Sequence, residues 1–259
     1  MRALIDADRI PYCFGGLKDE EGYPQAWEIL SSRIDDNISS LVASTGASDY
    51  TLYLTSDDKS NFRFSVATIV PYKGSRKAAK PFWYEQIRRY LVHQYKAQIV
   101  TGIEADDALG IEQVRNNYVC VQQALGGHSY EQTVICSVDK DLDMIPGLHY
   151  NELKPEKGVY EISERSALHN FYGQLLTGDD VDDIPGLYGV GKSSALLKHI
   201  NGLSESHDMY LVVKDEYVKR FGSYWKLFMY ENAKLLWILR SYNSNEIIEM
   251  FEQIEKEAA

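Results

Sequence analysis

The sequence predicts an α/β protein, a mostly parallel sheet flanked by helices, followed by an all-helical region. Three observations carry that prediction. Short β-branched or apolar runs at 2–7, 51–55 and 133–137 alternate with stretches of helical periodicity, as in a parallel sheet covered by helices. Beyond about residue 163 the strand-like runs give way to successive amphipathic stretches, with glycine-rich turns between the first few. Acidic residues recur where strands end or helices begin. No internal repeat, low-complexity tract or long linker is present, so we divide the chain at 1–162 and 163–259.

Taken in order, residues 2–7 read as a short buried strand, followed by a loop rich in glycine and acids. From Trp27, apolar residues recur at Leu30, Ile34, Ile38 and Leu41, the spacing of an amphipathic helix. Residues 51–55 form a second strand, and 62–70 read as a third extended segment. A helix is expected over 80–95, a short strand over 98–100, and a turn at Thr101-Gly102. Another helix begins near Glu104 and runs past Val114, and 133–137 is a further strand. Helices are then expected over 163–176, 192–200, 208–221, 224–241 and 246–256.

Composition narrows the function. The longest apolar runs are far too short to span a bilayer, and the N-terminus turns acidic at Asp6 where a signal peptide would stay apolar. A cytosolic protein, of a bacterium or a phage-infected host, is the expectation, with no membrane partner. Cys13, Cys120 and Cys136 are odd in number and widely spaced. They read as free thiols, the last two buried, with no zinc pattern. A formal net charge of −11 argues against a nucleic-acid partner at first. Its distribution matters more. Between Lys73 and Lys96, seven basic residues (Lys73, Arg76, Lys77, Lys80, Arg88, Arg89, Lys96) stand against Glu85 alone.

The acids fall in five segments. Asp6 ends the first strand, and Asp57-Asp58 follows the second. Glu104-Ala105-Asp106-Asp107 opens a helix, Asp139-Lys140-Asp141 follows the 133–137 strand, and Asp179 to Asp183 introduces the helical region. In an open parallel sheet, residues just past the carboxyl ends of strands converge on one edge. A lone aspartate there is commonly a turn or helix cap; five acidic segments in such positions are not explained by capping. Carboxylates packed together repel unless cations bind between them, and oxygen ligands without His or Cys select Mg²⁺ or Mn²⁺. Asp8, Asp58, Asp143, Asp180 and Asp183 read as solvated or supporting.

Residues 186–193 match the P-loop pattern G-x-x-x-x-G-K-S/T. A working P-loop follows a buried strand, whereas here Asp179, Asp180, Asp182, Asp183 and Pro185 precede it, and their charge would repel a triphosphate. The stretch reads better as the hairpin of a helix-hairpin-helix over 178–200. Gly189 and Gly191 permit the tight turn, and backbone N–H groups with Ser193, Lys192 and Lys198 can hold a DNA phosphate without reading sequence.

Together these segments resemble the 5′-nuclease superfamily: flap endonucleases, the 5′-nuclease domain of bacterial DNA polymerase I, and bacteriophage 5′→3′ exonucleases. The matching motifs are Leu4-Ile5-Asp6, Tyr72 to Arg76, Ile103 to Asp107, Ser137 to Leu142, and Gly178 to Ala195, in family order. The phage exonucleases look closest, partly because Lys234 to Tyr242 is similar to their C-terminal helix. The resemblance implies a PIN-like sheet, a short helical arch near 73–100, and a helix–three-turn–helix region. It implies that Asp6, Asp57, Glu104, Asp106, Asp107, Asp139, Asp141, Asp179 and Asp182 hold two divalent ions roughly 4 Å apart, with a monovalent cation a further candidate at the hairpin. Lys73 and Arg76 would face the scissile phosphate, and Lys77 and Lys80 the DNA. The implied partner is DNA with a 5′ end, nick, gap or flap, or an RNA/DNA hybrid, cut to leave 5′-phosphates. Asp183 stands where the family usually has Asn, the segment from Arg76 to Glu104 is shorter than in long-arched members, and Asp57 and Asp58 compete for one position. Two rival readings are a PIN-type ribonuclease, which would usually lack the hairpin, and a non-catalytic duplex-DNA-binding protein, which has no need of the carboxylates.

Overall fold

Leu4 and Ile5 point to opposite faces of the first strand, and each is fully buried in a different apolar cluster. The sheet is therefore covered on both sides, and that explains why its central strand is a continuous apolar run. The structure, a computed structural model, describes residues 1–77, 79–124 and 132–258, and of 118–124 the backbone alone. The expected burial of Cys120 lies outside the described side chains. Cys13 is exposed and Cys136 buried, both free.

In chain order the α/β part comprises β1 (Arg2–Asp6), α1 (Ile10–Phe14), α2 (Trp27–Thr45), β2 (Asp49–Thr55), α3 (Arg63–Val66), α4 (Tyr84–Tyr95), β3 (Gln98–Val100), α5 (Ala105–Ala124), β4 (Thr133–Cys136), β5 (Gly147–Tyr150) and β6 (Val159–Ile162). The sheet order is β3-β2-β1-β4-β5-β6. All neighbours run parallel except β6, which is antiparallel to β5. In register, Ile5 lies beside Leu52 on one side and Cys136 on the other. The chains leaving β1, β2 and β4 thus emerge at the same edge. On one face Leu30, Ile34 and Ile38 of α2 and Ile87 and Leu91 of α4 pack over Ile5 and Leu54. On the other, Ala105 and Leu109 of α5 pack over Leu4, Tyr53 and Ile135.

The helical part comprises α6 (Glu164–Thr177), a two-residue ladder of β7 (Gly178–Asp179) with β8 (Ile184–Pro185), then α7 (Ala195–Gly202), α8 (Ser206–Phe221), α9 (Trp225–Leu236) and α10 (Glu246–Glu257). Its core, with Phe171, Tyr172, Tyr210, Val213, Tyr217, Met229 and Phe251, also takes in Tyr72, Ile111 and Met144 from the α/β part. The two parts therefore share buried apolar surface. Among the described residues no helix is long and apolar enough to cross a membrane.

Several expectations change. Segment 62–70 is not extended: Arg63–Val66 is one helical turn, with Phe62 and Val66 packed together on the helical core. The i, i+4 pair Phe62/Val66 carried that signal. The helix expected from residue 80 starts at Tyr84, after Pro81, and the described residues from Tyr72 to Trp83 lie in turns and irregular chain. Strands β5 and β6 were not anticipated at all. A helical turn inside the expected glycine-rich loop, α1, carries Pro11 in its first turn, where proline is favoured. Finally α9 stops at Leu236 instead of running to 241. There the Arg63 side chain takes the Leu235 and Trp237 carbonyls, and the Leu239 N–H donates to Asp107. Side chains from the α/β part replace the next helical turn.

Candidate active site

The shared edge of β1, β2 and β4 opens into a cavity of about 340 Å³. Eight carboxylates line it: Asp6, Asp8, Glu104, Asp106, Asp139, Asp141, Asp179 and Asp182. Seven of these were expected at a metal site from the sequence. Asp8, read as a supporting residue, joins them.

Asp6 ends β1 at 9% exposure and accepts hydrogen bonds from Ser137 Oγ (3.0 Å) and the Asp8 N–H (3.1 Å). Burial, and then the charge of Asp8, pushes its carboxyl up to about 6. Asp106 sits on the first turn of α5. Burial raises its pKa well above the ordinary range, and the charges of Asp6, Asp139, Glu104 and Asp8 add to the effect. Among the described residues its carboxylate has no hydrogen-bond or ion-pair partner. Asp139 follows β4 and accepts the Asp141 N–H (2.9 Å), starting a 3₁₀ turn over Lys140–Met144. Asp141 is held by Lys140 Nζ (2.6 Å) and by Gln174 Nε2 of α6. Asp8 accepts from the Thr55 N–H (2.9 Å) and lies 3.5 Å from Arg88.

The opposite wall is built differently. Lys73 Nζ reaches Glu104 (2.5 Å) and Asp182 (3.6 Å), and Arg76 reaches Asp182 (2.5 Å). The buried Tyr72 hydroxyl lies 3.0 Å from Glu104 and 2.9 Å from Asp182. Burial works to raise the Glu104 pKa, but the charges of Arg63 and Lys73 hold it below its usual value. This wall is fixed by backbone contacts: the Lys73 N–H donates to the Asp182 carbonyl (3.0 Å), and the Ser75 N–H to Asp183 Oδ2 (2.8 Å). Asp183 adopts a positive φ of 58°, a conformation that Asp and Asn tolerate better than most residues. The β7–β8 ladder brings Asp179 and Asp182 here through close backbone contact. A Cβ on Gly178 would lie 2.2 Å from the Gly186 nitrogen, and one on Gly186 would lie 2.1 Å from the Thr177 carbonyl carbon.

Two expected ligands are elsewhere. Asp57 does not line the cavity; it lies against Tyr84 (3.2 Å), Lys80 (3.3 Å) and Arg88 (3.3 Å), while Asp58 is exposed and accepts the Ser60 N–H (2.9 Å). Asp107 is 0% exposed and does not line the cavity; both its oxygens accept from Arg63 (2.6 and 2.8 Å), which does. Both are held by cationic side chains outside the group of carboxylates that lines the cavity. Among the described residues, no three metal-binding side chains converge closely enough to form a ready-made cage.

Of the residues expected to contact DNA, Lys77, Lys192, Ser193, Lys198, Gly189 and Gly191 are exposed. Lys80 is exposed as well, beside Asp57 (3.3 Å) and Glu85 (3.0 Å). Gly189 carries a φ of 77° in the segment between β8 and α7, and Ser194 caps α7 by accepting the Leu197 N–H (3.3 Å). The P-loop alternative fails as expected, since only the two-residue β8 precedes the turn. A second cleft of about 260 Å³ shares Lys140, Asp141 and Gln174 with the carboxylate cavity and extends to Lys192. The sequence reading missed Arg63, Tyr72 and Gln174. Only Tyr72 had a signal, as the residue beside Lys73.

Comparison with family models finds no match, and neither does comparison with the sequences of characterised proteins. Solved structures do match. The T5 D15 protein co-crystallised with metal ions is similar over 99% of this chain and 97% of its own, with 18% identity and a TM-score of 0.60. The bacteriophage T5 D15 flap endonuclease, in a pseudo-enzyme–product complex with DNA and metal ions, gives 16% identity and a TM-score of 0.59 over 99% and 97% of the two chains. A T5 5′-exonuclease mutant gives 15% and 0.57 over 99% and 96%. Over nearly its whole length, this chain has the fold of the bacteriophage T5 5′-nucleases, the kind of fold its motifs resemble.

Proposed function

We propose that this chain is a metal-dependent 5′-nuclease, a 5′→3′ exonuclease and structure-specific 5′ flap endonuclease that hydrolyses DNA phosphodiester bonds to leave 5′-phosphates. The observation that carries the reading is the division of the cavity. Asp6, Asp106 and Asp139 face one another with no basic ion-pair partner among the described residues, and across from them stand Lys73 and Arg76. Asp6 and Asp106, held toward the protonated form by burial and then by neighbouring negative charge, stand with Asp139 in a donor set that fits hard divalent cations, Mg²⁺ or Mn²⁺. Asp6, Asp106 and Asp139 would hold one such ion, with Asp141, Asp179 and Asp182 as the set for a second. When bound, two divalent ions supply Lewis acidity toward a phosphodiester and balance the charge that builds during its displacement.

The chain's own residues do the rest. Lys73 and Arg76 place positive charge where a phosphate entering the cavity would lie, preorganised by their docking on 181–183. The cleft from Asp141 to Lys192 gives a path toward the hairpin, where Gly189, Gly191, Ser193 and Lys192 would hold a duplex backbone without reading bases. A solved relative in fold holds DNA and metal ions, which favours the same ligands here.

The test uses 5′- and 3′-labelled duplex, nicked, flap and RNA/DNA hybrid substrates, with Mg²⁺ and with EDTA. Cleavage from the 5′ side or at the flap junction, leaving 5′-phosphates and abolished by EDTA, is the expected outcome. Activity that persists in EDTA overturns the metal-dependent reading, and cleavage of RNA alone transfers the site to the ribonuclease class.

A further inference from the structure

Asp107 belongs to the acidic run that the family resemblance assigns to metal, yet the structure gives it a different set of partners. Its Oδ2 accepts the Glu104 N–H (2.9 Å) and Arg63 Nη1 (2.6 Å); its Oδ1 accepts the Leu239 N–H (2.9 Å) and Arg63 Nη2 (2.8 Å). As the third residue of α5 reaching back to the N–H of Glu104, it forms one half of a capping box. Arg63 is equally committed. Beyond Asp107 it donates to the Leu235 carbonyl (2.9 Å) and the Trp237 carbonyl (2.7 Å), stacks 4.8 Å over the Phe62 ring, and lies 3.8 Å from Glu104.

Both residues are buried, and what they hold is the cavity wall. Glu104 lines the cavity, as do Leu235, Leu236 and Ile238 at the exit of α9. One bidentate pair thus joins the helical part to the α/β part directly behind a carboxylate of the site. A planar guanidinium supplies the four donor contacts in fixed geometry, which a lysine ammonium cannot reproduce.

We propose that Arg63 and Asp107 are a positioning pair: they set the Glu104 carboxylate and the α9 exit against the cavity, and Asp107 does not ligate metal. This rests on the metal-dependent nuclease reading for its consequence, though not for its geometry. With four contacts already on Asp107, a divalent ion would have to displace Arg63 and leave a buried guanidinium without its carboxylate, a heavy penalty.

The experiment titrates Mn²⁺ into the full chain, wild type and variants, following stoichiometry, affinity and the Mn²⁺ EPR line shape, alongside thermal unfolding in EDTA. Asp106→Asn is the comparison. For Asp107→Asn and Arg63→Met we expect a lowered Tm, strong coupling between the two changes in a double-mutant cycle, and an unchanged number of bound Mn²⁺ ions. Their Mn²⁺ affinity should fall on the order of tenfold, as when a residue supporting a ligand is removed, with an altered line shape as Glu104 moves. Arg63→Lys should recover part of the affinity and keeps the test open should Arg63→Met fail to fold. Loss of one Mn²⁺ in Asp107→Asn at unchanged Tm, with Arg63→Lys and Arg63→Met silent, overturns the pairing. A lowered Tm with wild-type affinity and line shape overturns the positioning role. A wild-type chain that binds no Mn²⁺ defeats the metal-dependent reading instead, and the coupling measurement still decides whether the pair exists.

Discussion

The two walls of the cavity are made of the same residue type and solve the same electrostatic problem in opposite ways. On the Glu104–Asp182 wall the chain brings its own cations, Lys73 and Arg76, and a tyrosine hydroxyl. Glu104 consequently sits below its usual pKa despite burial. On the Asp6–Asp106–Asp139 wall it brings none, and burial together with mutual repulsion raises Asp6 and Asp106. The difference teaches where an external cation is needed. A carboxylate with an arginine or lysine beside it is already neutralised, whereas a bare one is a stored cost that ligand binding can relieve.

Breaking each wall should give opposite signs. Asp106→Asn is expected to lower cleavage by well over about 100-fold, more than the loss of a supporting residue, while raising Tm in EDTA because a repelling charge is gone. Lys73→Met should lower kcat on the order of 10²-fold, as for the loss of a preorganised cation in a site of charge development. It should also lower Tm in EDTA, since Glu104 and Asp182 lose their counter-charge. Thermal unfolding of the two variants side by side checks this. Tm shifts of the same sign would mean that the walls are not distinct.

A pH series sharpens the contrast. Asp6 has a folded pKa of about 6 against an ordinary 3.8, so the folded chain holds this proton more tightly than the unfolded chain. Its contribution therefore turns destabilising as pH rises from about 4 to above 6. Glu104, held below its ordinary value of 4.5, acts the other way: its stabilisation is present at neutral pH and is lost on acidification. In EDTA, Asp6→Asn should gain a few degrees in Tm over wild type at pH 7, and the gain should vanish near pH 4. Parallel curves would remove the repulsion account. The smallest effect is expected at the hairpin. Lys192→Ala should weaken duplex binding a few-fold and reduce its salt dependence by about one charge, with cleavage chemistry at saturating DNA left alone. A loss of kcat instead would place Lys192 within the chemistry rather than on the DNA path.

Much of the plan was readable from residue order. The apolar runs that became β1, β2 and β4, the periodicity from Trp27, and the acids at strand ends are local signals, and local signals survive folding. What failed did so for lack of such signals. β5 and β6 are four-residue strands with His149 and Tyr160 among them, and they pair chiefly because the sheet offers an edge. The turn Arg63–Val66 owes its place to the helical core beneath it, and α9 ends where Arg63 and Asp107 take over its backbone partners.

The sequence by itself determined the alternation of strands and helices, the edge where the carboxylates would gather, and the glycine turn before α7, because each depends on near neighbours and on period. Only the tertiary structure decided which acids stay bare. Asp107 is taken by an arginine 44 residues away and Asp57 by Lys80 and Arg88, while Asp182 faces the cavity beside Lys73 and Arg76 and Asp8 turns into it. Spacing places a carboxylate on an element. The long-range approach of a cation decides whether that carboxylate is a structural tie or a site.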